Sequence, residues 1–302
     1  MNLRFFVAIT SSLFVSASVL GQANLLNASE PEDIGVKTEA QILNDNDKPL
    51  EYGYVDDRDV LWAKTTWEII DLDERINFPL YYPIDTVNIG SDRRSLFQVL
   101  LSSIKSGKLE HVYSDSYFTE KRTLKDLSAT IRKVDTTDFG IEQLNAGEPV
   151  SQEYIETRDL TAQDIAEYHV KGIWYFDKRQ GELKYRLIGI APVAPDVNFI
   201  DDEEPDLVAL FWVFYPHVRD ILHKAKAFNR KNTYMQISFD HLLNSRRFSS
   251  VIYKEDNEQG DRKVEDYIND NALLQLLESQ RIKESIRDFE QDMWNYLSLI
   301  HI

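Results

Sequence analysis

Apolar side chains recur at helical spacing in two long stretches of the chain. Leu96, Leu100 and Ile104 lie four residues apart, and Gly107 is placed to end the segment. This pattern predicts a helix over residues 92–106, because residues four apart share one helix face and glycine commonly follows the last turn. A second stripe steps by four, three, four and four through Ile282, Ile286, Phe289, Met293 and Leu297. It predicts a long C-terminal helix.

Capping signals predict two shorter helices. Thr161 followed by Asp164 resembles a capping box, and the helix that it begins is expected to end before Gly172. Ser238 is a suitable N-cap for another short helix. The C-terminal helix is expected from about residue 264 onwards.

Strand-like segments lie between these helices. Residues 173–176 and 184–190 flank a polar turn and predict a β-hairpin. Residues 191–206, rich in proline and acid, predict a surface loop. The apolar run 207–215 predicts a central strand that ends at Pro216, and residues 248–253 predict another strand.

Strands and helices therefore mix without regular βαβ alternation. This favours an α+β domain with a central, mainly antiparallel sheet, flanking helices and a C-terminal helix. The stretch from Asn77 to Pro83 holds two prolines four residues apart, which argues against a regular helix there.

The N-terminal residues carry a targeting pattern. Arg4 precedes an apolar run, and small residues lead to Gly21, so residues 1–21 are expected to be a secretory signal peptide. A buried N-terminal helix or a membrane anchor is the alternative. Residues 22–57 are acidic and lack periodicity, which predicts a flexible segment that serves as a linker or as an arm ordering on a partner. Residues 58–302 are expected to form the globular domain.

Composition excludes several classes of function. The chain has 302 residues, 43% of them hydrophobic, with 51 acidic against 34 basic side chains and a net charge of −17. So negative a chain argues against binding to nucleic acid or to bare anionic lipid. The absence of cysteine excludes disulfides and thiolate chemistry. The run 207–215 is too short for a membrane-spanning helix, so no direct membrane insertion is expected.

Candidate chemistry is weak throughout the sequence. There is no phosphate-binding glycine loop and no nucleophile elbow, and His217 and His223 are spaced so that they do not share a helix face. The acidic run 201–204 lacks the alternating ligand spacing of calcium loops. Asp71, with Asp73 and Glu74, is a carboxylate cluster that a glycosidase could use, although adjacent Arg75 suggests surface pairing instead. No cofactor or metal is predicted.

Aromatic residues are the unusual feature. Five tryptophans are spread along the ordered region: Trp62, Trp67, Trp174, Trp212 and Trp294. Burial in the core is the simple interpretation, and burial in an assembly is the functional one, because tryptophan and tyrosine are enriched in protein interfaces.

Four blocks of sequence together resemble the GldN/PorN family, components of the type IX secretion system associated with gliding motility. The blocks lie in the family's order over about residues 58–268, at 60–83, 174–192, 210–216 and 228–255. None of them is a catalytic motif.

The resemblance implies a periplasmic, non-enzymatic protein peripheral to the inner face of the outer membrane. Family members associate with a GldK/PorK-like lipoprotein, form rings with copies of themselves, and meet the motor subunits GldL and GldM. On this hypothesis the 59–83 block and the C-terminal helix supply contacts, and the interface candidates are Trp62, Trp67, Tyr81, Tyr82 and Trp294.

Two other classes of function stay open. One is an exported acidic polysaccharide hydrolase, which requires a deep pocket lined by perturbed carboxylates. The other is a binding protein for a cell-wall polymer, which requires an exposed aromatic platform on a monomer.

Overall fold

A six-stranded antiparallel sheet, curled and flanked by helices, is the framework of the chain in the computed structural model. The structure describes residues 47–85, 93–147, 149, 151–200, 205–232, 236–269 and 271–300, with side chains as far as Met293 in the last range, and the single positions Glu30, Glu39 and Leu43. By compactness, Met1–Lys48 and Pro49–Ile302 are two separate units, and the second contains every element below.

The strands are numbered in chain order. They are β1 (Val60–Asp71), β2 (Val112–Tyr113), β3 (Lys121–Arg122), β4 (Arg132–Thr136), β5 (Ile155–Asp159), β6 (Glu167–Asp177), β7 (Glu182–Pro195), β8 (Leu207–Ala209), β9 (Val213–Phe214), β10 (Lys226–Ala227), β11 (Ile237–Ser238) and β12 (Val251–Glu255).

The α-helices are numbered in the same way. They are α1 (Phe78–Tyr81), α2 (Leu96–Lys105), α3 (Leu124–Ile131), α4 (Asp138–Asn145), α5 (Tyr215–Lys224), α6 (Phe239–Asn244), α7 (Val264–Tyr267) and α8 (Ala272–Ile300).

The strand order in the main sheet is β12-β1-β6-β7-β8, and β9 also pairs with β7. The long hairpin of β6 and β7 turns at Gly181, whose φ of 65° is one that glycine adopts without steric cost. β1 pairs along the full length of β6, from Val60 opposite Asp177 to Asp71 opposite Glu167. Segments that are distant in the sequence therefore pair with each other. β1 lies between β6, which starts about 100 residues later, and β12.

Two groups of helices cover the sheet. The main core joins α2, α5 and α6 to the strands through fully buried side chains such as Leu100, Leu222 and Phe239. A smaller cluster joins α8 to β12 through Ile282, Ile286 and Ile252. Burial of these side chains at about 25 cal/mol per Å² of apolar surface is the main term that stabilises the fold.

The sequence predictions for fold class and for most helices are confirmed. The helix predicted over 92–106 spans Leu96–Lys105, and Ser95 rather than an earlier residue caps it, its Oγ accepting from Gln98 N at 3.3 Å. The α-helix capped by Ser238 is present as α6. The C-terminal helical region begins at Val264 as expected, but it is divided into α7 and α8.

Other local predictions were wrong. The capping box at Thr161 exists, but it begins only a 3₁₀ turn over Ala162–Asp164, and β6 follows at once. The apolar run 207–215 is not one central strand, because it divides into β8 and β9 and Tyr215 begins α5. Pro216 lies in the first turn of that helix, where its missing N–H is not needed.

The remaining boundaries differ in smaller ways. The predicted loop 191–206 starts later, because β7 continues to Pro195, and residues 201–204 lie outside the described residues. The stretch expected not to form a regular helix contains the single turn α1, with Pro79 near its start. The strand predicted over 248–253 is found as β12, three residues further on.

Candidate functional site

Trp62, one of the interface candidates, contacts the C-terminal helix of its own chain. Its ring stacks on Phe289 of α8, with ring centroids 4.6 Å apart and an interplanar angle of 19°. It also packs against the small cluster formed by β12, α7 and α8. Much of the Trp62 surface is therefore used inside the domain, where it attaches α8 to β1.

Trp67 is buried, with 2% of its surface exposed. The ammonium groups of Lys171 and Lys254 lie 4.8 Å and 4.4 Å from its ring centroid, close enough for cation–π attraction. Burial lowers the pKa of Lys171, and the charge of Lys254 lowers it further. Trp67 thus lies against a pair of neighbouring lysines. A partner could contact its ring only if Lys171 and Lys254 moved away from it. The Trp294 side chain lies outside the described residues.

The two tyrosine candidates lie on or beside α1. Their rings meet edge to face, with centroids 4.8 Å apart, and Phe78 meets Tyr82 in the same way at 5.4 Å. Tyr81 is half-buried and its hydroxyl donates to the Gln163 carbonyl at 3.2 Å, whereas Tyr82 is exposed. Of the five candidates, Tyr82 is therefore one with a ring available to a partner.

A groove beside α1 joins segments that are distant in the chain. The apolar part of its lining consists of Ile76, Phe78, Pro79, Tyr82, Pro83 and Phe228. The basic part of its lining consists of Arg75, Arg93, Arg230 and Lys231. The cavity volume is about 970 Å³, and this set of residues is called the aromatic–basic groove below.

Four of the apolar groove residues are exposed to water. Ile76, Phe78, Tyr82 and Phe228 have between 37% and 55% of their surface accessible. These four side chains line one groove, so their exposed apolar surface is gathered in one place rather than scattered. Aromatic side chains and arginine are also the residue types enriched at the energetic centres of protein interfaces.

The charge of the aromatic–basic groove opposes that of the whole chain. The chain carries a net charge of −17, but the described residues that line the groove include four cations and no carboxylate. Arg93 lies over the Phe228 ring at 5.0 Å. Arg75, Arg230 and Lys231 make no ion pair with any other residue that the structure describes. The groove therefore suits a partner that is apolar at its centre and acidic at its edges.

Asn77 fixes the position of this groove. The residue is 1% exposed, and its Nδ2 donates to the carbonyls of Asp71 at 2.7 Å and Ser249 at 3.1 Å. Its Oδ1 accepts from Ser249 N at 2.9 Å. One side chain thus ties the turn before α1 both to the end of β1 and to the segment before β12.

A buried ion pair between β1 and the segment after α6 is the second polar feature. Glu68 accepts from both terminal nitrogens of Arg246, at 3.1 Å and 2.7 Å, and also from the Ser250 hydroxyl. Burial by itself would lower the pKa of Arg246, but the Glu68 carboxylate outweighs it and the pKa is raised. A cavity of about 460 Å³ adjoins the pair and reaches Lys283, whose pKa is lowered by burial.

This arrangement holds the Glu68 carboxylate rather than presenting it to a substrate. Arg246 and Ser250 engage both of its oxygens, and Thr66 donates to it at 3.3 Å. A general base needs a free lone pair within hydrogen-bond reach of the proton that it removes. The geometry therefore favours a structural role that joins β1 to the segment before β12.

The structure describes some, but not all, of the residues that the sequence offered as weak candidates for metal or glycosidase chemistry. Within the described residues, no group of three histidine, aspartate or glutamate side chains is arranged to hold a metal ion. The acidic run 201–204 lies outside them. Asp71 accepts from the Asp73 backbone N–H at 2.8 Å, so one of its oxygens stabilises the turn after β1.

The sequence analysis missed most of the aromatic–basic groove. Tyr82 was a candidate, but Phe228 and the two basic residues that follow it were not. The only sequence signal was the block that begins at Phe228, which belongs to the family resemblance without any assigned role. Tyr82 and Phe228 are distant in the sequence, and only the folded structure places both in the lining of one groove.

The structure is thus an α+β domain with an exposed aromatic groove and a buried ion pair that joins distant segments. The family model described as "Gliding motility associated protein GldN" matches residues 55–295, and the chain therefore belongs to the GldN family. No curated protein matches the chain significantly. Family membership associates the chain with gliding motility and type IX secretion, and GldN is not a known enzyme family.

Proposed function

We propose that this protein is a non-enzymatic structural component of the type IX secretion system. In this proposal it assembles with a GldK/PorK-like lipoprotein into a periplasmic ring at the inner face of the outer membrane. The ring supports protein export and gliding, and it meets GldL-like and GldM-like motor subunits. Family membership supports the association with this machinery.

The aromatic–basic groove is the observation that carries the structural role. A scaffold acts by presenting surfaces, and the exposed aromatic rings of Phe78, Tyr82 and Phe228 provide one. None of the helices described is both long and apolar enough to cross a membrane. In this proposal the lipoprotein partner supplies attachment to the outer membrane.

The first experiment tests whether the groove contributes more to assembly than an ordinary exposed residue does. The double variant Tyr82→Ala with Phe228→Ala is produced in the source organism, and the matched control is Tyr54→Ala, which removes a ring that is 80% exposed elsewhere. The groove variant should lower recovery of the high-mass complex from outer-membrane extracts by about tenfold or more, because loss of interface anchors costs about 2 kcal/mol or more. Export of proteins by the type IX secretion system should fall in parallel.

Trp62→Ala is a poor test of assembly, because Trp62 stacks on Phe289 and its removal would take away a contact within the domain. The structural proposal is rejected if the groove variant is stably folded and both assembly and export stay at the level of the control. Purification of a small particle that turns over a polysaccharide would favour the hydrolase alternative instead. Cell fractionation tests the periplasmic location independently.

A further inference from the structure

Two stretches of the chain that are distant in the sequence supply most of the lining of the aromatic–basic groove. One runs from Arg75 to Pro83, and the other begins at Phe228 and includes Arg230 and Lys231. Each stretch contributes apolar side chains as well as cations. A ligand in the groove therefore meets apolar surface and positive charge together.

The cations of the groove act on a ligand more strongly than the rest of the chain does. Glu74 precedes Arg75 in the sequence but does not line the groove, and the described lining residues include no carboxylate. The whole chain has a net charge of −17, but at physiological ionic strength exposed charges are screened beyond about 8 Å. A ligand in the groove is therefore influenced mainly by the nearby cations, which favour an acidic ligand.

The geometry of the aromatic rings favours an inserted side chain. The rings of Phe78 and Tyr82 meet edge to face at an interplanar angle of 80°, so they do not form one flat platform on which a sugar ring would stack. The groove volume of about 970 Å³ lies within the range of about 300–1,000 Å³ in which proteins bury ligands. Aromatic and large aliphatic anchors that fill pockets are typical of the centres of protein interfaces. A peptide fits these features better than a polysaccharide does.

We propose that the aromatic–basic groove binds an acidic peptide segment of a partner protein, in which aromatic or large aliphatic residues are separated by aspartate or glutamate. The inference rests on the proposed function and names the chemistry of the partner at that site. The apolar residues of the segment insert among Phe78, Tyr82 and Phe228. Its carboxylates approach the cationic side chains of Arg230 and Lys231.

Such a contact is weak when it is made once and strong when it is repeated. A segment of a few residues buries less than the roughly 800 Å² per partner of a standard interface. In the proposed ring every copy offers the same groove, and a partner that engages several copies gains from the high effective concentration of the remaining grooves. The groove therefore serves as a repeated point of attachment.

Peptide binding to the purified protein tests the inference. The probe is a fluorescent peptide of sequence Glu-Asp-Phe-Glu-Asp-Leu-Glu-Asp-Phe, and its binding is measured by fluorescence anisotropy. One control peptide has serine in place of the apolar residues, and another has lysine in place of the acidic residues. The acidic apolar peptide should bind at least tenfold more tightly than either control, because it alone complements both the apolar and the basic part of the groove.

Charge variants show whether the peptide binds in the groove. Arg230→Ala with Lys231→Ala should weaken binding of the acidic apolar peptide at least tenfold. The matched control is Lys105→Ala with Lys108→Ala, which removes two exposed cations elsewhere and should leave binding unchanged. Arg230→Glu with Lys231→Glu should also increase affinity for the lysine peptide, and loss of folding would not produce such a gain.

Several results would overturn the inference. They are failure of the acidic apolar peptide to bind the natural protein, and equally tight binding to the variant that lacks both Arg230 and Lys231. Equal binding of the serine peptide would also contradict it, because the apolar lining would then contribute nothing. Tighter binding of polygalacturonate that is lost in the same variant would assign the groove to an acidic polysaccharide instead.

Failure of this inference can be distinguished from failure of the proposed function. Normal export in a strain that lacks the whole protein would refute the proposed function, whatever the peptides show. If the acidic apolar peptide does not bind, but Tyr82→Ala with Phe228→Ala still lowers recovery of the high-mass complex, only the chemistry assigned to the partner is wrong.

Discussion

Glu68 and Arg246 are 178 residues apart in the chain, yet Nη2 of Arg246 lies 2.7 Å from Oε2 of Glu68. Glu68 is fully buried in β1, and Arg246 has a φ of 49°, a left-handed conformation that is uncommon for residues other than glycine. The guanidinium also lies 4.1 Å from the Tyr185 ring centroid. This contact joins β1, β7 and the segment after α6 at one point.

Removal of Arg246 should destabilise the domain strongly. Arg246→Ala leaves the Glu68 carboxylate buried without its cation, and breaking a buried pair in this way costs about 3–5 kcal/mol. Urea unfolding followed by tryptophan fluorescence measures the change. The matched control is Arg132→Ala, which removes the cation of the exposed Arg132–Asp159 pair and should leave stability close to the natural protein. Equal effects of the two substitutions would contradict the structural role.

Tyr52 should hold the segment before β1 on the domain. Its hydroxyl donates to Asn244 Oδ1 at 2.7 Å, and the guanidinium groups of Arg219 and Arg186 lie 4.0 Å and 4.7 Å from its ring centroid. Tyr52→Phe removes one hydrogen bond and should cost about 1 kcal/mol. Tyr52→Ala should also cause faster tryptic cleavage after Arg58, because the segment loses its anchor.

The control for this experiment is Tyr54→Ala, since the Tyr54 ring is exposed and only its backbone carbonyl is bound, by Arg179 at 3.0 Å. Its cleavage rate should match that of the natural chain. A Tyr52→Ala protein that is no more sensitive to trypsin than this control would show that the Tyr52 side chain does not hold the segment on the domain.

Substitution of Gly172 should destabilise the domain for steric reasons. A Cβ at this position would lie 2.1 Å from the Tyr185 hydroxyl oxygen and 2.2 Å from Cζ of its ring, far inside contact distance. Gly172→Ala should therefore displace the ring that covers Arg246 and cost about 1–3 kcal/mol. Gly53→Ala is the control, because nothing lies within 4 Å of the added methyl group. Thermal unfolding of both variants measures the difference.

Tyr117 should make stability fall with pH in the alkaline range. Burial, then the hydrogen bond to Asp261, raises its pKa from 10.0 to about 12. Between pH 10 and 12 the unfolded chain loses this proton while the folded chain keeps it, so the unfolded state binds fewer protons and the free energy of unfolding decreases. Tyr117→Phe should show a smaller decrease across this window in urea unfolding at each pH. Tyr54→Phe should follow the natural protein, and a Tyr117→Phe curve parallel to it would refute the assignment.

The sequence predicted secondary structure best where one local rule decides it. The stripe of Leu96, Leu100 and Ile104 and the hairpin around Gly181 were identified because their periodicity and turn chemistry are contained within a few residues. The capping box at Thr161 was also real, but local capping could not compete with the pairing of β6 between β1 and β7. Tertiary strand pairing converted a predicted helix into a strand.

The prediction of one central strand over residues 207–215 was wrong for a related reason. Burial on all sides suggested a central strand, yet Leu210 and Phe211 lie between β8 and β9 and are buried as members of the main core. Hydrophobicity predicts that a segment is buried, but it does not predict which neighbouring elements bury it.

The sequence by itself determined the fold class, the positions of the main helices and the resemblance to the GldN family, because these depend on local patterns and on blocks of residues in order. Only the tertiary structure decided that Trp62 and Trp67 face their own domain, that Glu68 finds Arg246, and that Tyr82 joins Phe228 in one groove. The physical reason is that contacts between distant residues arise from the way the helices pack on the sheet, and residue spacing along the chain does not encode that packing in any local pattern.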